Sequence, residues 1–179
     1  GAVDIILWPE NVVNPGRFLP FEKAEETVRR VAADTNATLL AGWFYSVSDT
    51  GTVNYQAVVT PDGEEIDRYD KVRIVPFGEY VPLRTMVEAT GLADAIPRRD
   101  VIPGTEPPVV ETPVGPVGVS ISWEAFFERR AREATAHGAQ ILTLPTNGSA
   151  FWLTQGLTQQ VASNPLRASE NARWLRMAG

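Results

Sequence analysis

Four residues in this chain carry groups that can move a proton, hold a charge or attack carbon, and they fall in telling places: Glu10, Lys71, Ser122 and Asn147. Glu10 follows the apolar run 2–8, Ser122 sits near the end of the run 117–123, and Asn147 follows the run 140–144. Each run reads as a strand, and open α/β folds gather their sites at the carboxyl ends of strands. Lys71 lies in Tyr69-Asp70-Lys71-Val72-Arg73, between two apolar segments. A carboxylate, an ammonium and a hydroxyl are the groups of acid–base and nucleophilic chemistry. Singly none is specific. A strand-end glutamate is usually a turn or capping residue, and an isolated lysine is usually just exposed.

Other chemistries are disfavoured by what the chain lacks. It has one histidine and no cysteine, so disulfides and thiolate metal sites are excluded and a histidine-based metal site is not expected. No cofactor is called for either. A Ser-His-Asp triad would have to use His137, which stands where a helix should end and there complements the helix dipole. The net charge of −6 argues against a nucleic-acid surface, which needs clustered cations. Arg98-Arg99 and Arg129-Arg130 read as solvated faces. No apolar run approaches the roughly 20 residues of a membrane span, and the chain opens on a buried strand rather than a signal peptide.

The elements that must position the four residues follow from pattern. Ala24, Thr27, Val28, Val31 and Ala32 recur at helical spacing and predict an amphipathic helix over 21–34. Strands are expected at 38–45 and 55–60, split by Ser48-Asp49-Thr50-Gly51, and a turn at Pro61-Asp62-Gly63. Residues 66–74 lead into Val75-Pro76-Phe77-Gly78. The stretch 78–108 is irregular and proline-rich, with one short helix expected at 85–92, and its length fits a lid or binding loop as well as a tolerated surface insertion. A hairpin of strands at 109–112 and 117–123 precedes a helix at 124–136 and a strand at 140–144. The region 154–177 reads as helical to its end, interrupted at Pro165 with Asn164 as a cap. The order is β-α-β-β, an irregular loop, then β-β-α-β-α. That is one α/β or α+β layered domain over residues 1–179, with the look of a piece excised from something longer.

Taken together, three segments resemble the signature of the nitrilase superfamily, in order and with similar spacing: Trp8-Pro9-Glu10, Tyr69-Asp70-Lys71 and Ser122-Trp123-Glu124. A finer likeness is to the apolipoprotein N-acyltransferase branch. It is carried by Val75-Pro76-Phe77-Gly78-Glu79-Tyr80-Val81-Pro82, by Pro145-Thr146-Asn147, and by Gln159-Gln160 with the run from Leu166 to Arg173. The resemblance implies an α-β-β-α sandwich, here incomplete at both ends. It also implies that Glu10 is a general base, that Lys71 steadies a tetrahedral intermediate, and that Glu79 is a further site glutamate. Residue 122 is then the nucleophile, and Trp123, Glu124 and Asn147 stand around the substrate.

The family nucleophile is cysteine, and this chain has Ser122. A thiol is partly ionised near neutral pH, whereas a hydroxyl is a much poorer nucleophile, so an inactive or nearly inactive chain is expected. Both a deliberate Cys→Ser exchange and a natural degenerate homologue account for it. What the resemblance implies of an intact relative is transfer of an acyl chain from a phospholipid donor to a diacylglyceryl lipoprotein acceptor. The domain would lie on the extracytoplasmic face of the cell membrane, flanked by transmembrane helices missing here, with Leu83, Met86 and Leu92 of the lid facing lipid or packing beneath the loop. A soluble nitrilase-type amidase and a non-catalytic acyl-peptide-binding homologue are the alternatives.

Overall fold

The computed structural model describes residues 3–17, 19–91, 96–150 and 154–179, so Ala2 of the first expected strand and Leu92 of the expected short helix lie outside it. The elements run β1 (Ile5–Leu7), α1 (Phe21–Thr35), β2 (Thr38–Ser46), β3 (Gly51–Val59), β4 (Glu65–Asp70), α2 (Arg84–Ala89) and β5 (Asp100–Val101). They continue with β6 (Val109–Val110), β7 (Val117–Val119), a 3-10 turn (Ser122–Phe126), α3 (Glu128–Ala136), β8 (Ile141–Pro145), α4 (Gly156–Asn171) and β9 (Trp174–Ala178).

Strand alternation sorts the side chains into layers. Leu39, Ala41 and Trp43 of β2, with Tyr55, Ala57 and Val59 of β3, face the buried stripe Ala24, Val28 and Ala32 of α1. The intervening residues Leu40 and Val58, with Tyr69 of β4, turn the other way and meet Val110, Val117, Val119 and Ile121. Those belong to a second sheet, of order β6-β7-β8-β9, laid against the first of order β1-β2-β3-β4 with β5 beside β3. Ala131 and Ala134 of α3 cover the outer face of the second sheet at Leu142. The result is the expected α-β-β-α sandwich. Each fully buried Leu, Ile or Val at the seam contributes roughly 1.5–3 kcal/mol.

The connection from β1 to β2 is parallel, and β2, β3 and β4 run antiparallel in turn. The carboxyl ends of β1 and β4 therefore lie at one edge with the amino-terminal half of β3. In the second sheet β7 and β8 are parallel, so their carboxyl ends also share an edge.

Several expectations need correction. The strand expected over 117–123 ends at Val119, and the helix expected from 124 begins only at Glu128, with the 3-10 turn between them. The helix expected over 154–177 stops at Asn171. Ala172 adopts a left-handed conformation (φ 49°), and Arg173 N–H closes back on Ala168 O at 3.1 Å. The chain then returns as β9, parallel to β8 from Ile141↔Trp174 to Pro145↔Ala178, so a strand stands where none was expected. Pro165 does not restart the helix but lies inside α4. Pro165 and Val161 are both exposed, so water takes up the carbonyl that the missing N–H leaves free.

The stretch 78–108 is less irregular than its prolines suggest. It holds α2 and β5, and Arg84 ties it together through Asp100 (2.5 Å) and the carbonyl of Pro97 (2.9 Å). Val101 N–H donates to Glu79 O, and Gly104 N–H to Lys71 O. His137 ends α3 as expected.

Candidate active site

The sheet edge brings Glu10, Lys71 and Glu79 into one cluster. Lys71 Nζ donates to Glu10 Oε1 at 2.9 Å and to Glu79 Oε1 at 2.7 Å, and the lysine side chain is only 1% exposed. Burial by itself pushes the Lys71 ammonium down, but the two carboxylates outweigh it and hold the group above its ordinary value. Of its three N–H bonds two are occupied, leaving a third for another acceptor.

Each carboxylate is fixed at its second oxygen. Glu10 Oε2 accepts from the Asn147 backbone N–H at 3.1 Å, and Glu79 Oε2 from that of Val75 at 2.9 Å. Asn54, a residue that sequence reading missed, donates Nδ2 to Glu10 at 2.9 Å and to Glu79 at 3.3 Å. It lies beside Lys71, whose N–H donates to Asn54 O at 2.9 Å. The only signal in the sequence was the alternation of Asn54 and Gln56 with apolar neighbours.

Glu10 can reach this position because Gly42 of β2 lies directly against Pro9. A Cβ at residue 42 would stand 2.2 Å from Pro9 O and 3.0 Å from Glu10 Cα. Gly42→Ala is therefore expected to cost about 1–3 kcal/mol through overpacking. Urea unfolding would show it, and an unchanged midpoint would mean that the approach is not obligatory.

Ser122 opens the 3-10 turn with φ 50°, a conformation uncommon for a residue other than glycine. The turn is held by Glu124. Its Oε2 accepts from Ile121 N–H at 2.8 Å, while Oε1 accepts from Tyr69 Oη at 2.8 Å and from the N–H groups of Val72 and Arg73 at 3.0 Å each. Burial pushes this carboxyl above its usual range, partly offset by these donors. Glu124 therefore joins the chain after Lys71 to the turn carrying Ser122. It has no exposed surface, and both oxygens are taken by protein donors. In this structure Glu124 meets protein groups only, on the buried side of the turn.

Arg130 extends the same network, donating to Tyr69 Oη at 2.7 Å, Glu106 O at 3.2 Å and Glu133 at 2.7 Å. It is buried, so the solvated face expected for Arg129-Arg130 holds for Arg129 alone. Arg98 and Arg99 are exposed, as expected.

Asn147 also differs in detail. Its backbone N–H, not its side chain, touches Glu10, and its Oδ1 accepts from Ser149 N–H at 3.0 Å. The preceding Thr146 places Oγ1 3.3 Å from Ser122 Oγ and 2.9 Å from Gln160 Oε1. Consecutive residues thus touch the hydroxyl and the carboxylate. Among the described residues Ser122 Oγ makes no direct bond to Glu10 or Lys71.

Two hollows meet at Trp123, and one of them reaches Ser122. A small one of about 70 Å³ is lined by Val75, Ser122, Trp123, Phe126, Gln159 and Gln160. A larger one of about 580 Å³, lined by Val72, Ile74, Tyr80, Val101, Phe127 and others, shares Trp123 as a wall. Among the described residues no group of histidine, cysteine, aspartate and glutamate side chains is arranged to hold a metal ion.

The carbon-nitrogen hydrolase family profile matches residues 1–179. The chain belongs to the carbon-nitrogen hydrolase family. Curated relatives within reach of it include an apolipoprotein N-acyltransferase of Mycolicibacterium smegmatis, 32% identical over 180 residues, covering 97% of this chain and 30% of that protein. One of Synechocystis sp. is 31% identical over 134 residues, covering 75% of this chain and 26% of that protein. The chain thus spans under a third of the length of these two relatives.

Solved structures of the nitrilase superfamily share the fold. A Cys-to-Ser mutant of an amidase from Nesterenkonia AN1 matches with TM-score 0.65 at 21% identity, covering 98% of this chain and 63% of that one. A Saccharomyces cerevisiae member of branch 10 of the superfamily matches with TM-score 0.67 at 15% identity, covering 98% and 62%. Among carbon-nitrogen hydrolases, then, this chain has the superfamily sandwich, with a hydroxyl at the head of the turn after β7.

Proposed function

We propose that the chain is the catalytic domain of a lipoprotein N-acyltransferase, carrying serine in place of the nucleophilic cysteine. The observation that carries the proposal is the Lys71 ammonium clamped between Glu10 and Glu79, at the strand ends tied to Ser122 by Glu124 and by Thr146-Asn147. The names of the relatives support the substrate class.

With a thiol at position 122, Glu10 takes its proton and the sulfur attacks the ester carbonyl carbon of a phospholipid. The oxyanion is met by the free N–H of Lys71 and the backbone N–H of Trp123, which lies in the first turn, where N–H groups have no partner within the helix. Collapse expels the lysophospholipid oxygen, which recovers the proton from Glu10 and leaves a thioester. The α-amino group of a diacylglyceryl-cysteine then attacks the thioester, gives up a proton, and leaves as the amide while the thiol is restored. Ser122 runs the first step poorly, because its hydroxyl has no base in direct contact and ionises far less readily than a thiol. The chain as written is therefore inactive or nearly so.

Two further features support this reading. The larger hollow, mostly apolar, begins at Trp123 beside the reacting position and suits an acyl chain. Leu83 and Met86 are 73% and 67% exposed on and beside α2, so neither packs beneath the loop, and a lid against lipid accounts for them. No helix among the described residues is long and apolar enough to cross a membrane. Attachment to the extracytoplasmic face would rest on segments outside this chain.

The test is Ser122→Cys in the complete membrane-embedded protein, incubated with phospholipid and weighed intact beside the parent. We expect a hydroxylamine-labile acyl adduct on the cysteine form alone. No adduct on either folded form would overturn the acyltransferase reading and leave the small-amide hydrolase or the binding homologue.

A further inference from the structure

Gln160 stands 5% exposed at the edge of the small hollow whose wall includes Ser122. Its Oε1 accepts from Thr146 Oγ1 at 2.9 Å, and Thr146 is itself fully buried. Among the described residues its Nε2 has no hydrogen-bond partner. A buried amide N–H₂ left unpaired is costly, and such a group in a native structure asks for an acceptor that arrives from outside. The hollow's other walls are Val75, Trp123 and Phe126, whose side chains accept nothing strongly, with Ser122, Gly156 and Gln159, none of which bonds to it.

The second half of the arrangement concerns Ser122. Thr146 has one hydroxyl proton, and giving it to Gln160 Oε1 turns a lone pair toward Ser122 Oγ, 3.3 Å away. Gln160 therefore orients the Thr146 hydroxyl with its oxygen and leaves its nitrogen unpaired, on a side chain that lines the same hollow as Ser122.

We propose that Gln160 is a substrate-contacting residue, donating Nε2–H to a carbonyl oxygen of the acyl compound bound at residue 122. Thr146 acts as its positioning residue, holding the amide so that the donor and not the acceptor faces the hollow. The inference rests on residue 122 being the attacking group, but not on whether the acyl donor is a phospholipid or a small amide. Carbonyl recognition by Gln160 adds a contact to those expected of Lys71 and Trp123, and it bears on how tightly acyl donors are held.

The test uses Ser122→Cys in the full-length protein, with and without Gln160→Glu. That substitution keeps an oxygen for Thr146 and replaces the N–H₂ donor by a second carboxyl oxygen. Gln160→Met, which removes both, is the second variant. Two reagents are compared by intact mass: p-nitrophenyl butyrate, which presents a carbonyl, and methyl methanethiosulfonate, which does not. We expect both substitutions at 160 to raise the half-saturating ester concentration about tenfold, the effect of one hydrogen bond, with thiosulfonate modification unchanged. Equal losses with both reagents would mean that Gln160 acts only through the nucleophile or the fold. No loss with either would mean that its nitrogen meets no substrate. Either result overturns the proposal. Absence of any butyryl adduct on Ser122→Cys alone would instead remove residue 122 as the attacking group, and this inference with it. The phospholipid experiment fails separately, since the butyrate ester needs no lipid.

Discussion

Replacing Glu124 by alanine is expected to destabilise the fold by about 3–5 kcal/mol, the range seen when one member of a buried, charge-bearing network is removed. Four donors lose their acceptor at once: the hydroxyl of Tyr69 and the backbone N–H groups of Val72, Arg73 and Ile121. Arg130, whose Nε lies 3.9 Å from Glu124, keeps Glu133 but loses its nearest fully buried countercharge. Two of the orphaned groups, on Tyr69 and Ile121, lie in the seam between the sheets and cannot turn to water. Glu124→Gln should fall between parent and alanine variant. It keeps an oxygen for the first three donors but presents an N–H₂ to the N–H of Ile121. Urea unfolding at neutral pH measures both. An alanine variant within 1 kcal/mol of the parent would show that the Ser122 turn is held by something other than Glu124.

The second large effect is expected at Lys71→Met. In the Ser122→Cys background the acylation rate should fall by about 10²–10³, the loss typical of removing one preorganised donor at a developing oxyanion. This variant also carries a stability signature that is separate from activity. Without the ammonium, Glu10 and Glu79 share only the Asn54 amide between them, and removing one member of a buried charged cluster typically costs about 3–5 kcal/mol.

In the parent the pH window follows from Lys71 itself. Lys71 is raised above 10.5, so its contribution is complete below that pH and is lost only as pH rises through the higher folded value. The stability gap between parent and variant should therefore hold from neutral pH up to about 10 and close above it. A gap already absent at neutral pH in urea unfolding would mean that the two carboxylates do not depend on Lys71.

Much of this site was legible because its parts are local. Trp8-Pro9-Glu10 and Tyr69-Asp70-Lys71 each stand at the end of a strand, and the first sheet puts the ends of β1 and β4 at one edge. The buried stripe of α1 and the β6–β7 hairpin also follow from spacing and turn residues alone. What could not be read was which polar residues turn inward. Asn54 and Gln56 alternate with apolar neighbours in β3, and in a sheet with one wet face they would point to water. The second sheet covers that face. Asn54 is therefore buried against Glu10 and Glu79, and Gln56 against the carbonyls of Trp8 and Leu40.

The same holds for Arg130, which is buried only because Tyr69 and Glu106 O lie within its reach. β9 gave the least warning. Trp174-Leu175-Arg176-Met177-Ala178 contains good helix formers, and the left-handed stop is made by Ala172 rather than glycine. Local preference favours continuing the helix there. It is overruled by five residues of parallel pairing with β8, a partner some thirty residues back. The types and order of the groups that could do chemistry are properties of the sequence by itself. Their burial, the acceptors each donor finds, and the left-handed turn at Ser122 were decided only when the two sheets closed on each other. An unpaired polar group costs little in water and a great deal inside that seam.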